Sequence, residues 1–403
     1  MFAFTLEDPA LSLTLNGRDP MGTLAVWQHR ARDLVPSLSS ASRQAEGFQL
    51  LLTALAWWPE FASCKHRPGS DLPRYFLLVE QAFARACRLA GQDWPLPGTR
   101  RLNAAKPGLW ISADPAHYLL DSPLVNGTWG IYRTPTINAG LISKDMRIAS
   151  PALESELRTA TPEVQRLFEH LAPCMTGNSE KEIAVKSSHH LVKALAEMLA
   201  NLPSRKTLRD TLVTPATSRI TTDLARLART RPADTSPQEL VAMARHEHPV
   251  HAQTLARVQR CERLLATIDA VFEFACAEDG AATLRELAAE LPVDLAALEA
   301  AMEGFADTGT YDGLAHDRVK ALRSIPLESK VTLLRGVIDQ HARLSQRRGN
   351  APWITLEDSG RIERRVLLTR PQAQQLAPAT AWRNDYYLGP LQRLAHRLQV
   401  RKA

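Results

Sequence analysis

The chain has 403 residues, 49 Lys plus Arg against 43 Asp plus Glu, a formal charge of +6 and 45% hydrophobic residues. That length predicts several structural units, and the apolar content excludes a wholly disordered chain. With only 19 Gly, no apolar run near the roughly 20 residues that span a bilayer, and no basic, apolar leader, the expectation is a mainly helical cytoplasmic protein.

In chain order, residues 1–178 read as an N-terminal helical domain. Leu24, Trp27, Ala31 and Leu34 recur on one face of a helix over 21–34, ended by Pro36. A second helix over 41–58 is apolar nearly all round, and a third over 73–90 is closed by Gly91. Six prolines between Pro95 and Pro135 predict short helices and irregular packing, anchored by Trp94, Trp110 and Trp129. Thr161-Pro162-Glu163 opens a helix to Leu171. Residues 179–250 read as a helical connector, with a helix over 179–202 and a capping box at Ser236-Pro237-Gln238-Glu239.

A long helix over 251–277 leads into a second capping box, Thr283 to Glu286. A helix to Leu291, a Pro292-Val293 turn, an Asp294 cap and a helix over 295–306 complete a winged-helix-like pattern. This module and the basic helix over 325–346 fill the segment 251–345; residues 346–403 hold a hairpin around Asp358-Ser359-Gly360 and a C-terminal helix. The predicted class is therefore mainly α, a multi-domain helical protein with a winged-helix-like module and a short C-terminal β-hairpin.

Charge is segregated within this plan. Residues 264–312 hold 11 acids and one base, whereas residues 313–403 hold 17 bases and 7 acids. The helix at 295–306, in the position equivalent to a recognition helix, exposes Asp294, Glu299, Glu303 and Asp307, which repel phosphate and suit a protein partner. Phosphate contacts are expected instead from Arg343, Arg347 and Arg348 at the end of the basic helix, and from Arg361, Arg364 and Arg365 on the hairpin. The competing reading pairs these arginines with the acidic block.

Signs of catalysis are sparse. Glu357, Asp358 and Glu363 form the one acidic hairpin cluster of the kind that metal-dependent nucleases use, but without the usual lysine. His246, His248 and His251 lack helical ligand spacing and read as a solvated turn. Glycine-rich phosphate loops are missing from the sequence, so no nucleotide cofactor is expected. Trp129, Tyr132 and Arg133 suit either a base-stacking platform or a core. The five cysteines, including Cys64, are widely spaced and read as reduced thiols.

Three stretches carry a resemblance. They are Asp19-Pro20-Met21-Gly22 with Leu34-Val35-Pro36 and Ser42-Arg43, then Gly127 to Leu141, and Trp382-Arg383-Asn384-Asp385-Tyr386-Tyr387-Leu388. The pattern resembles helical proteins encoded beside bacterial anti-phage defence genes. The resemblance implies a non-catalytic adaptor subunit that works with an ATPase, helicase or nuclease encoded nearby, on DNA or RNA gripped through its backbone.

Overall fold

The computed structural model describes residues 19–63, 71–104, 108–158, 162–175, 180–183 and 189–399. The Thr161 cap and Cys64 lie outside them. The fold is mainly α, with a short C-terminal hairpin. In chain order the principal helices are α1 (Leu24–Leu34), α2 (Ala45–Ser63), α3 (Leu72–Leu89), α4 (Thr128–Asn138), α5 (Pro162–Met175), α6 (His190–Asn201) and α7 (Arg219–Arg229). They continue with α8 (Pro237–Glu247), α9 (Ala252–Ala275), α10 (Leu284–Glu290), α11 (Leu295–Ala306), α12 (Gly313–Arg323), α13 (Lys330–Arg347) and α14 (Leu388–Arg397). Strands β1 (Leu109–Ser112) and β2 (Glu180–Ile183) form one antiparallel pair, and β3 (Ile354–Leu356) and β4 (Ile362–Arg364) another.

These elements group into two compact units, each built from separate stretches of chain. A winged unit takes the residues up to Leu34 and Ser236–Tyr386; a central unit takes Val35–Thr235 and the residues from Tyr387 on. The cuts fall after residues 34, 235 and 386, whereas the sequence suggested consecutive segments ending at 178, 250 and 345.

In the central unit, α2 and α3 form the core, as their apolar composition requires. Trp57, Phe48, Phe76 and Phe83 are fully buried, and Trp57 stacks on Phe83 with ring centroids 5.8 Å apart. The region expected to be irregular contributes a strand: β1 pairs in register with β2, Leu109 opposite Ile183. A helix was expected to start at 179, but Glu180–Ile183 is extended, and the next described helix spans His190–Asn201. Pairing with the buried edge of β1 outweighs the helical propensity of Glu-Lys-Glu-Ile. Helix α14 closes this unit by laying Leu391 and Leu394 against α7. Arg397 adds an ion pair to Glu46 at 2.7 Å.

In the winged unit, α9 is the axis, and α1, α8, α11 and α13 all pack on it. The capping boxes at Ser236 and Thr283 form as the sequence required. The chain leaving α9 runs beside the hairpin: Ile362 N–H donates to the Ala282 carbonyl at 2.8 Å, and Leu284 N–H to that of Gly360 at 2.9 Å. Strand β4 thus lies between β3 and the segment that precedes α10, an order that fits a wing folded against its helices.

Candidate nucleic-acid interface

The helix that leads directly into the wing is α13. It packs on both α9 and α10 and then feeds β3. Helix α11, placed by the sequence pattern as the second helix of the module, also packs on α9. The capping and turn signals at 291–294 are real, since the Asp294 carboxylate accepts from the N–H groups of Ala296 and Ala297. The α11–α12 excursion is therefore inserted between α10 and the helix before the wing. Local signals cannot reveal such an insertion, because each helix boundary looks the same whichever neighbour the helix packs on.

Helix α13 starts at Ser329, whose hydroxyl accepts from Thr332 N–H at 3.1 Å. Lys330 Nζ donates to the Leu291 carbonyl at 2.6 Å and so covers the C-terminal end of α10. Leu333, Leu334, Val337, Ile338 and Leu344 are buried, while Arg335, Asp339, Arg343, Gln346 and Arg347 form the exposed stripe. His341 is buried, bonded to the Pro20 carbonyl at 2.9 Å and to Trp353 N–H at 2.8 Å. Burial, helped by nearby Arg348, lowers its pKa.

The six arginines proposed from sequence divide by environment. Arg343 and Arg347 lie one turn apart on the exposed stripe and have no ion pair among the described residues. Arg361 is exposed at the wing. Arg348 turns to Asp19, donating to its carbonyl at 2.6 Å and its carboxylate at 3.0 Å. Arg364 is a structural latch, donating to the carbonyls of Ala275 at 2.8 Å and Ala281 at 2.9 Å. Gly280 lets it pass, since a Cβ there would sit 2.7 Å from the guanidinium. Arg365 lies 3.6 Å from Glu363.

Two cations missed from sequence join Arg343 and Arg347. Arg318 and Lys320 of α12 line the same cleft of about 410 Å³ between α12 and α13, and Asp317 is its one carboxylate. Spacing along the chain gives no hint of this, because it depends on how α12 docks on α1.

The acidic residues proposed for a partner stay near α11. Glu299 and Glu303 are exposed one turn apart, and Asp307 lies 3.9 Å from Arg260. The acids of the hairpin do not converge: Glu363 accepts from Thr355 at 3.1 Å, Glu357 accepts from Ser359 at 3.2 Å, and the described residues contain no group of three His, Cys, Asp or Glu placed to hold a metal ion. His248 and His251 rings are 6.3 Å apart on a surface turn. Trp129 and Tyr132 belong to the core of the central unit, at 6% and 1% exposure, with Arg133 stacked outside Trp129. Four cysteines, Cys87, Cys174, Cys261 and Cys276, are buried free thiols.

Two of the stretches that carry the resemblance meet in the winged unit. Asp19, Thr23 and Trp27 share a cleft of about 370 Å³ with Asp269, Arg383 and Asn384. Buried Glu262 accepts from the N–H groups of Arg383 and Asn384, from Asn384 Nδ2 at 2.9 Å and from the Tyr386 hydroxyl at 2.9 Å. This network fixes the Trp382–Tyr386 segment on α9, and with Arg383 paired to Glu273 the cleft is largely satisfied from within. No protein-family model, curated protein or solved structure matches the chain.

Proposed function

We propose that this protein is a non-catalytic adaptor subunit that holds nucleic acid by its phosphate backbone through the winged unit. The observation that carries the reading is α13 in the position that leads into the wing, with Arg335, Arg343 and Arg347 exposed and unpaired among the described residues. Exposed guanidinium groups on a helix beside a wing suit contacts to phosphate, and they supply affinity without sequence reading. The acidic turn of α11, with Glu299 and Glu303, is the proposed docking point for a protein partner. The context of bacterial anti-phage defence, with an ATPase, helicase or nuclease as partner, rests on the resemblance and belongs to the same proposal.

The test is fluorescence anisotropy of a labelled duplex and single strand, both with 5′-hydroxyl ends, at about 50 and 200 mM salt. Wild type is expected to bind with a clear salt dependence. Arg335→Glu with Arg343→Glu is expected to weaken binding at least tenfold and to reduce the salt slope by about 2, one for each lost phosphate contact. Unchanged affinity and slope in that variant would overturn the reading. Copurification followed by mass spectrometry tests the partner: a Glu299→Lys, Glu303→Lys chain is expected to lose the protein that wild type retains.

A further inference from the structure

We infer that the cleft between α12 and α13 is a binding site for a terminal phosphate monoester, borne either by a free nucleotide or by the end of a nucleic-acid strand. The site is built around Arg318. Its residue is 9% exposed, it lines the cleft, and among the described residues its guanidinium has no hydrogen bond or ion pair. A guanidinium presents five N–H donors in a rigid fork, the geometry that matches two phosphate oxygens, and here the buried stem carries that fork to the open cleft.

Two further features point the same way. The stem of Arg318 is held against the turn at Gly22, whose φ is +76° and where a Cβ would lie 3.0 Å from Arg318 Cδ and 3.2 Å from Nε. The positive φ favours glycine at this turn, and the missing Cβ lets the Arg318 stem pack closely against it. The cleft is also short of negative charge. Arg318, Lys320, Arg343 and Arg347 face one carboxylate, Asp317, and Asp19 nearby is taken by Arg348. Burial, then Arg348 and Arg347, push the Arg318 pKa down, and Asp19 and Asp317 offset this only in part.

The excess fits a monoester better than a diester, because a monoester carries close to two charges at pH 7 and an internal phosphodiester one. Gln340, also in the lining, has a side-chain amide that can donate to a further phosphate oxygen. A volume of about 410 Å³ is in the range of small-molecule pockets. A duplex passing over α13 meets exposed Arg343 and Arg347 before it reaches buried Arg318. The inference goes beyond backbone binding and stands without it, since a free nucleotide fills the cleft as well as a strand end does.

The test uses the full chain. Inorganic phosphate, AMP and adenosine are titrated by calorimetry and thermal shift at constant ionic strength, against a chloride control. Two matched single strands, one 5′-phosphorylated and one 5′-hydroxyl, are compared by anisotropy. Saturable binding of phosphate and AMP but not adenosine, weakened at least tenfold in Arg318→Met and partly kept in Arg318→Lys, is the expected result. Lys320→Ala with Arg347→Ala, both at the exposed rim, is a second variant whose fold is not at risk; it is expected to weaken AMP at least threefold with unchanged circular dichroism. A 5′-phosphorylated strand that binds tighter than its hydroxyl twin assigns the site to strand ends, and AMP binding without that preference assigns it to free nucleotides. Absence of saturable phosphate and AMP binding, or affinities unchanged in both variants, would sink the proposal. Because the backbone reading is tested with 5′-hydroxyl strands and with Arg335 and Arg343, either idea can fail while the other survives.

Discussion

Glu80 is buried and Asp269 lines the wall of a cleft, and the surroundings of both carboxyls favour the protonated form. Burial pushes Asp269 up to about 8, partly offset by Arg383 and by the Thr23 hydroxyl that donates to it at 3.0 Å. Glu80 is pushed up to about 7, with Thr128 N–H donating to it at 3.2 Å. Each group holds its proton in the folded chain at pH values where the unfolded chain has released it, so folding takes up protons and stability falls as pH rises. For Asp269 the window runs from its ordinary value of 3.8 to about 8, and for Glu80 from 4.5 to about 7. Asp269→Asn keeps an oxygen for Thr23 and has no proton to lose. It is expected to gain about 1–2 kcal/mol over wild type at pH 8 and nothing at pH 4, allowing for solvent screening at a cleft wall; urea titrations at both pH values measure this. At Gly47 the constraint is space, because a Cβ there would overlap the Tyr132 ring. Tyr132 is fixed by its packing on Phe48, 5.0 Å away, and by Gln44 N–H. Gly47→Ala is therefore expected to lose about 2–3 kcal/mol in a urea melt despite the better helix propensity of alanine. Sequence showed which residue types were candidates, but not their fates. Arg343 and Arg364 look alike in the chain, and only the docking of the hairpin against residues 275–284 makes one a free cation and the other a latch.

At the level of helices and strands, capping chemistry made most boundaries legible. Ser236, Thr283 and Asp294 all cap the helices expected of them, because a cap depends on three or four adjacent residues. Strand β2 and the packing of α13 were not legible, because each is decided by a partner more than 30 residues away. The latch gives an element-level prediction. Arg364→Ala removes two charge-assisted bonds that tie β4 to the chain entering α10, and should cost about 2 kcal/mol and raise amide exchange at Ile362 and Leu284. Arg343→Ala should leave both stability and exchange unchanged while weakening phosphate-dependent binding. If the two variants behave alike in exchange, the division between latch and free cation is wrong. The separation also limits what charge neutralisation inside the module can explain: Arg348, Arg365 and Arg370 pair with acids, whereas Arg335, Arg343 and Arg361 find none among the described residues.

On the scale of the whole chain, neither unit is complete until its far segment arrives. The central unit needs α14 and its C-cap, where Leu391, Leu394 and Leu398 are buried. A chain ended after Tyr387 gives up these three side chains, each contributing about 1.5–3 kcal/mol, a loss comparable with the stability of a typical domain. Limited proteolysis is expected to cut such a chain within α7 while sparing α9, which keeps its Glu262 network to Asn384 and Tyr386. Protection of α7 in the truncated chain would contradict the assignment of α14 to the central unit. The same interleaving sets an order of events in biosynthesis. Helix α1, with Val26, Ala31 and Leu34 fully buried in the finished fold, emerges from the ribosome more than two hundred residues before α9, on which it packs. At roughly 5–20 residues per second, its apolar face waits on the order of 10–50 s for that partner. During that interval the nascent chain presents a hydrophobic helix with nothing of its own to cover it, which makes residues 24–34 the place where a chaperone would first take hold.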